Sequence, residues 1–486
     1  MSTSVAIQLD RNKISRDKDY EGHLMVSISS KDENFKRTPV QAILVVDVSG
    51  SMAGEKIQSV RQTANKIVEN LTSQDEIAIV TFTDVTEVIL PRQKVTSKES
   101  IYAAISRIKD HGSTNLSAGI LTGLNQIGGD FSGVKRIMVL TDGQANAGVI
   151  STEGLIDIVA KRDKACTMSF FGYGTDCNND LLASLAKAGE GNHYFIETSN
   201  DIANLFAKEL GGIVSCKAQS IEVLVKPNKG GEVIEVLNDY TVEQHGINAL
   251  VKAEDIYVNE TKHILLKIKV SKPDGKIKDR AFSVAHVEVS YDDIDAKKRV
   301  TSTHNVKVEF VKDADADVKA ILAVTEQVAI LTAAKAQIAA SKAAQAGDFK
   351  LAKQFFTSGS LSLAEAAADG SMLAMNAQTY YAASADVVDQ KTYSLNSSVS
   401  MSNSAKSATR GRATTKGLSS LYLSKQQDEM VNNFSEPETL DGNTIVPGLA
   451  APSLPTPIKI ISNIVPAVPV IPVEEPKGFS KKRSRN

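Results

Sequence analysis

The sequence predicts an α/β protein built around a doubly wound, mostly parallel β-sheet, with a flanking β-sandwich, a C-terminal helical region and a disordered tail. Between residues 40 and 212, short apolar runs alternate with segments of helical periodicity. From 216 to 312, apolar residues recur at every second position, which is typical of half-buried strands. Residues 314–390 are rich in alanine and show helical periodicity.

The α/β domain is expected to span residues 38–213. Several of its strand candidates are nearly continuous hydrophobic runs, as expected for parallel strands that helices cover on both faces. The candidates are Ala42–Val48, Glu76–Phe82, Thr86–Leu90, Arg136–Thr141, Thr167–Tyr173 and His193–Glu197. Between them, apolar residues at three- and four-residue spacing predict helices near 57–71, 99–108, 115–127, 152–164, 179–188 and 201–210. This alternation predicts right-handed crossovers and a doubly wound sheet.

Residues 214–312 are predicted to form a β-sandwich, because several strands follow one another there without an intervening helix. Turn sequences such as Pro227-Asn228 and Pro273-Asp274-Gly275 separate these strands. The N-terminal residues 1–37 alternate in the same way, at Val5–Leu9 and His23–Ser29, and are expected to join the sandwich.

Residues 313–390 are predicted to form a helical hairpin or bundle. Gly347 and Asp348 fit the end of one helix and the cap of the next. A seam of apolar residues with heptad spacing, which Lys335 interrupts, consists of Ile321, Val324, Val328, Leu331 and Ile338. The seam has few turns, which favours packing on the protein's own domain over an oligomeric coiled coil.

Residues 391–486 are predicted to be a disordered tail, rich first in Ser and Thr and then in Pro. Nine of the thirteen prolines lie between Pro437 and Pro476, and this composition buries too little apolar surface to offset chain entropy. Trimming the chain after about residue 395 is therefore expected to leave thermal stability unchanged. The apolar stretch Ile458–Val465 is either a docking peptide or a linker, and the basic end Lys481–Arg485 is either a nuclear signal or a solubilising terminus.

Composition disfavours several classes of protein. A formal net charge of −2 argues against nucleic acid as the main partner, because phosphate-binding domains usually carry a large positive surplus. The three cysteines, Cys166, Cys177 and Cys216, lack the spacing of a disulfide framework or a zinc site. The N-terminus lacks the order of a signal peptide, and no apolar run approaches the ~20 residues that span a bilayer. These features predict an intracellular, most simply cytoplasmic, protein without a membrane span, and they leave its oligomeric state open.

Oxygen-bearing side chains cluster at the predicted ends of two strands. Asp47, Ser49 and Ser51 follow the first strand of the α/β domain, and Asp142 follows the fourth. Thr114 lies in the loop before the third helix. Because ligands of open α/β sheets collect at the carboxyl ends of the strands, these side chains are expected to meet at one rim. Carboxylates and hydroxyls without His or Cys suit a hard octahedral cation, so the predicted cofactor is Mg²⁺, or Mn²⁺ by substitution.

These motifs resemble the metal-ion-dependent adhesion site (MIDAS) of von Willebrand factor type A (VWA) domains, which have a Rossmann-like sheet. The resemblance rests on DVSGS at 47–51, STNLSAG at 113–119 and LTDG at 140–143, and it covers residues 40–212 closely. It implies that Ser49, Ser51 and Thr114 touch the ion, directly or through a water, while Asp47 and Asp142 mostly hold waters or neighbouring ligands. More loosely, residues 1–390 resemble VWA proteins labelled "calcium-activated chloride channel homologue", although without a membrane segment a channel is not expected.

The predicted function is metal-dependent binding of a partner protein that presents an Asp or Glu to the ion, and not an enzymatic activity. The alternatives are a structural scaffold with an unused metal site, a metal-dependent hydrolase and an adaptor subunit for an ATPase. A hydrolase is disfavoured because the only histidine near the rim is His111, a loop residue that is expected to be solvated. Asp84 lies on another rim loop and either adjusts the site or is an ordinary turn residue.

Overall fold

The computed structural model describes residues 2–32, 35–142, 145–273, 281–313, 316, 319–388, 394–411 and 425–435. The turn residues 274–275, the stretch Ile458–Val465 and the basic end Lys481–Arg485 lie outside the described residues, so their assignments stay predictions. At the N-terminus the chain forms three strands: β1 (Ser2–Leu9), β2 (Lys13–Ser15) and β3 (Tyr20–Lys31).

A six-stranded sheet forms the centre of the α/β domain and confirms the doubly wound architecture. Its strands are β4 (Val40–Asp47), β5 (Glu76–Phe82), β6 (Thr86–Lys94), β7 (Val134–Thr141), β8 (Cys166–Tyr173) and β9 (Glu190–Ile196). They lie in the order β6-β5-β4-β7-β8-β9, and neighbours are parallel except for β5 and β6. The chain leaves β4 toward one side of the sheet and returns to β7 on the other. The carboxyl ends of β4 and β7 are therefore the switch point at which such sheets bind ligands.

Helices with an apolar stripe cover both faces of this sheet. They are α1 (Glu55–Glu69), α2 (Lys98–Ile105), α3 (Leu116–Leu124), α4 (Thr152–Ala160), α5 (Asn179–Ala188) and α6 (Ser199–Val214). Helices α1, α2 and α6 share an apolar core with one face of the sheet, and α3, α4 and α5 share a second core with the other. Burial from both sides explains why β4 is apolar along most of its length.

Two mostly antiparallel sheets form the predicted β-sandwich, and the N-terminal strands belong to both. The further strands are β10 (Cys216–Pro227), β11 (Glu232–Val236), β12 (Thr241–His245), β13 (Asn248–Ala253), β14 (Ile256–Tyr257), β15 (Thr261–Val270), β16 (Ala281–Asp293) and β17 (Lys298–Val311). One sheet has the order β1-β3-β15-β11 and the other β12-β13-β10-β16-β17-β2, with β14 beside β10. Their facing sides share one core, which includes Leu24 and Val26 of the first sheet and Val223 and Val287 of the second.

The predicted hairpin is part of a larger helical bundle that packs on the sandwich. The helices of this bundle are α7 (Leu322–Gln345), α8 (Phe349–Ala368), α9 (Met372–Val388) and α10 (Leu395–Thr409). Asp348 caps α8 as predicted, and its side chain accepts a backbone hydrogen bond at 2.9 Å. Val324 and Leu331 of the predicted seam pack with Met25 of β3. The seam therefore packs on the β-sandwich of the same chain.

The prediction of disorder from residue 391 onward is wrong for two segments. Helix α10 begins at Leu395, and a further helix, α11 (Lys425–Ser435), lies against α6. Although α10 has few large apolar residues, its small side chains fit closely, and Ala405 and Ala408 are completely buried in the bundle core. Phe434 of α11 is buried in the core that α1 and α6 share. Tertiary packing, which composition does not reveal, stabilises both helices.

The described helices and the three cysteines can be compared with the expectations about a membrane span and about disulfides. None of these helices is both long and apolar enough to cross a bilayer. Cys166, Cys177 and Cys216 are buried, and none of the three is in a disulfide. Burial raises the pKa of the Cys166 and Cys177 thiols to about 12, so both are unreactive at neutral pH.

Candidate metal centre

Asp47 ends strand β4, and its side chain is completely buried. Its Oδ1 accepts a hydrogen bond from the backbone N–H of Ser49 at 2.9 Å, and its Oδ2 accepts one from the Thr141 hydroxyl at 2.5 Å. Burial raises the pKa of Asp47, and the hydrogen bonds from Thr141 and Ser49 oppose this increase. A buried carboxylate that two donors orient in this way is stabilised further by a nearby cation.

The hydroxyls of Ser49 and Ser51 connect the ends of β4 and β7. The two Oγ atoms lie 3.1 Å apart, and Oγ of Ser51 donates to Oδ1 of Asp142 at 2.7 Å. Asp142 directly follows β7, where it is almost completely buried. The structure therefore brings Asp47, Ser49, Ser51 and Asp142 together in one hydrogen-bonded row.

The loop that carries Thr114 lies against this row through backbone hydrogen bonds. The N–H of His111 donates to the carbonyl of Val48 at 2.7 Å, and the N–H of Gly50 donates to the carbonyl of Gly112 at 3.2 Å. Thr114 itself is buried, with 4% of its surface exposed. In the part of the chain that the structure describes, its hydroxyl makes no hydrogen bond to the row, so the loop alone places it at the rim.

The structure adds a residue that the sequence analysis missed. Lys56, in the first turn of α1, directs its ammonium to Oδ2 of Asp142. The Lys56 Nζ also lies 4.8 Å from the centroid of the Tyr173 ring, a favourable cation–π position. The only signal in the sequence was a lysine shortly after the DVSGS motif, and periodicity does not show that this first turn faces β7.

Asp84 and His111 have ordinary roles at the edge of the rim. Both are exposed. Hydrogen bonds from its own backbone N–H and from Thr83 lower the pKa of Asp84, as expected for a turn residue. The Nδ1 atom of His111 lies 3.3 Å from the carbonyl of Lys109. These positions favour the turn and loop interpretations over a direct part in the site.

The donor set fits a small, hard cation. Its side chains offer carboxylate and hydroxyl oxygens only, the ligands that Mg²⁺ prefers. Within the described residues, no group of three or more His, Cys, Asp or Glu side chains could hold a metal ion. A metal at this rim would therefore depend on the hydroxyls of Ser49, Ser51 and Thr114 as well as on the two carboxylates.

The parallel sheet, its two helical layers and the oxygen cluster at the switch point define a Rossmann-like ligand-binding domain. The family model for the von Willebrand factor type A domain matches residues 43–208, inside that domain. Residues 43–208 therefore form a VWA domain, as the motifs predicted. VWA domains are in general interaction and adhesion modules.

Two bacterial relatives share part of the chain. YfbK of Escherichia coli (strain K12) is 29% identical over 211 residues, which cover 42% of this chain and 37% of YfbK. An uncharacterized protein of Synechocystis is 24% identical over 283 residues, or 56% of this chain and 66% of that protein. The chain thus spans about a third of the length of YfbK and just under two thirds of the length of the Synechocystis protein.

A solved structure shows that the likeness in fold extends beyond the VWA domain. The von Willebrand factor type A protein from Catenulispora acidiphila has a TM-score of 0.66 and 15% identity, covering 83% of this chain and 96% of that chain. Coverage of this extent includes strands and helices outside residues 43–208. The narrower resemblance to the chloride-channel-homologue group stays a prediction.

Proposed function

We propose that the protein binds a partner protein through a divalent ion, Mg²⁺ or Mn²⁺, held at the rim between β4 and β7. The observation that supports this proposal is the hydrogen-bonded row of Asp47, Ser49, Ser51 and Asp142, with the Thr114 loop beside it. Buried acids and hydroxyls seldom converge at the switch point of an α/β sheet without a ligand.

Each residue of the row has a separate task in this proposal. Ser49, Ser51 and Thr114 offer neutral hydroxyls to the ion, and Asp142 orients Ser51. Asp47 holds the turn after β4 through the backbone of Ser49. Because the hydroxyls add no negative charge, the bound ion retains positive charge that attracts an Asp or Glu carboxylate of the partner. The partner thus completes the coordination.

The alternatives have less support. A metal-dependent hydrolase needs a base near the ion, and His111 is exposed and contacts the carbonyl of Lys109. A role as an ATPase adaptor would still use the rim to contact the ATPase, and it is a special case of partner binding. A scaffold with an unused metal site differs from the proposal in a measurable way, since it would not need metal to bind its partner.

Ser49→Ala and Asp47→Ala are expected to abolish uptake of Mn²⁺ and metal-dependent capture of a partner. Each change removes a ligand or its orienting group while the apolar strand β4 stays intact. Calorimetric titration with Mn²⁺ measures the first effect, and pull-downs in Mg²⁺ and in EDTA measure the second.

The matched control for these variants is Asp84→Ala, which removes an exposed carboxylate of the same rim and should bind Mn²⁺ like the wild type. Circular dichroism melts check that each variant is folded. The proposal would be contradicted if the wild type and Ser49→Ala bound Mn²⁺ with equal affinity. It would also be contradicted if neither EDTA nor the mutations changed the amount of partner that is captured.

A further inference from the structure

A cation of the protein itself lies beside the candidate metal site. The ammonium of Lys56 contacts Oδ2 of Asp142, while Oδ1 of the same carboxylate accepts the Ser51 hydroxyl at 2.7 Å. The two oxygens of Asp142 thus have different neighbours. One faces the row of hydroxyls, and the other faces the Lys56 ammonium.

Burial makes the contact between Lys56 and Asp142 electrostatically significant. The Asp142 side chain is only 1% exposed, whereas that of Lys56 is 31% exposed. Because little water reaches the carboxylate, charges near it are screened less than on an open surface. The partial exposure of Lys56 places its charge at the rim, where a ligand from solution would arrive.

The net charge of the site depends on Lys56. Asp47 and Asp142 are acids, and with Lys56 the cluster carries a single net negative charge. A divalent ion would make that cluster positive overall, whereas without Lys56 the loaded cluster would be neutral. The lysine therefore repels an incoming metal ion, and it increases the attraction of the loaded site for an anion.

We propose that Lys56 weakens the binding of the divalent ion at this rim and strengthens the binding of the partner's carboxylate. This inference rests on the proposed function. The hydrogen bond between Ser51 and Asp142 does not involve the lysine, so removal of Lys56 changes the charge of the site and leaves its donor row in place.

The test compares the full chain with Lys56→Met, using Mn²⁺ alone and then acetate as the carboxylate probe. We expect Lys56→Met to bind Mn²⁺ roughly tenfold more tightly, a modest value because a partly exposed charge is screened. The loaded variant should bind acetate roughly tenfold more weakly, as followed by the proton relaxation of water on bound Mn²⁺.

Three further variants test whether the effect depends on the positive charge at position 56. Lys56→Arg keeps the charge and should behave like the wild type, and Lys56→Gln repeats the test with a polar side chain if Lys56→Met folds poorly. Lys66→Met removes a positive charge from the same helix roughly 15 Å further along, at 1.5 Å per residue. It should change neither affinity.

The outcomes separate this inference from the proposed function. If the wild type binds Mn²⁺ and both Lys56→Met and Lys56→Gln bind it equally or more weakly, the inference is overturned and the metal site stands. Unchanged acetate affinity in the loaded Lys56→Met and Lys56→Gln proteins also overturns the inference. If neither the wild type nor any variant takes up Mn²⁺, both proposals fail.

Discussion

Arg136→Met is expected to lower the free energy of unfolding by about 3–5 kcal/mol, because it leaves buried acids without their cation. Arg136 lies on β7 and is completely buried. Its Nη1 lies 2.8 Å from Oε1 of Glu209, and its Nη2 lies 2.6 Å from Oδ2 of Asp255. Both acids are buried as well, so water does not replace the lost guanidinium.

The network around Arg136 joins the VWA domain to the β-sandwich. Glu209 belongs to α6 and also accepts hydrogen bonds from Ser169, Asn192 and Tyr194 at 2.5–2.9 Å. Asp255 lies between β13 and β14 of the sandwich. Although burial lowers the pKa of Arg136, the two acids outweigh it and hold this pKa above its usual value. The guanidinium is therefore charged at neutral pH.

Urea unfolding followed by circular dichroism measures the effect of Arg136→Met. Arg92→Met is the matched control, since Arg92 is one-third exposed and lies 3.9 Å from Glu76. A pair of this kind contributes about 0–1 kcal/mol. An Arg136→Met protein that unfolds like the control would show that the buried network does not hold the two domains together.

Ending the chain at residue 390 is expected to lower the melting temperature by about 5 °C or more. Each kcal/mol of lost stability lowers the melting temperature by about 2–4 °C in a domain of 150–250 residues. This expectation replaces the one drawn from composition, because α10 packs in the bundle core. The variant exposes the side of α7 that α10 covers, where Nε2 of Gln337 donates to the carbonyl of Met401 at 2.8 Å.

The end of α10 also connects three parts of the fold. Arg410, which follows the helix, forms an ion pair with Glu254 of the sandwich. Its Nη2 also donates to the carbonyl of Gly191 in β9 at 2.8 Å. In return, the Tyr240 hydroxyl donates to the Arg410 carbonyl at 3.0 Å. Loss of this residue would leave Glu254 buried next to an unfilled space.

Differential scanning calorimetry of two truncated chains checks this prediction. The chain that ends at 390 should melt early, whereas a chain that ends at Ser435 retains α10 and α11 and should melt close to the full chain. If both truncated chains melted like the full chain, the packing of α10 would contribute nothing measurable to stability, and the composition-based prediction would be restored.

Much of the fold was predictable because it depends on local patterns. Continuous apolar runs identified β4, β5 and β7, since a strand that is buried on both faces must be apolar throughout. The donor row was predictable for a related reason. Asp47 and Asp142 each follow such a strand, and adjacent parallel strands end at the same rim.

The features that were missed depend on residues far apart in the chain. Arg136 begins a predicted strand, but its partners Glu209 and Asp255 come 73 and 119 residues later. The contact of Lys56 with Asp142 spans 86 residues. No periodicity in the sequence encodes such pairs, because they arise only when separate elements pack together.

The sequence by itself determined most elements of the VWA domain, their order and the oxygen-bearing side chains that lie at the rim between β4 and β7. Only the tertiary structure decided that the Ser-rich segment Leu395–Thr409 is an ordered helix, that Arg136 joins two domains and that Lys56 adds its charge to the site. The reason is physical: periodic burial is a property of a short segment, whereas the electrostatic environment of a charge and the fit of small side chains depend on every neighbour that the fold brings close.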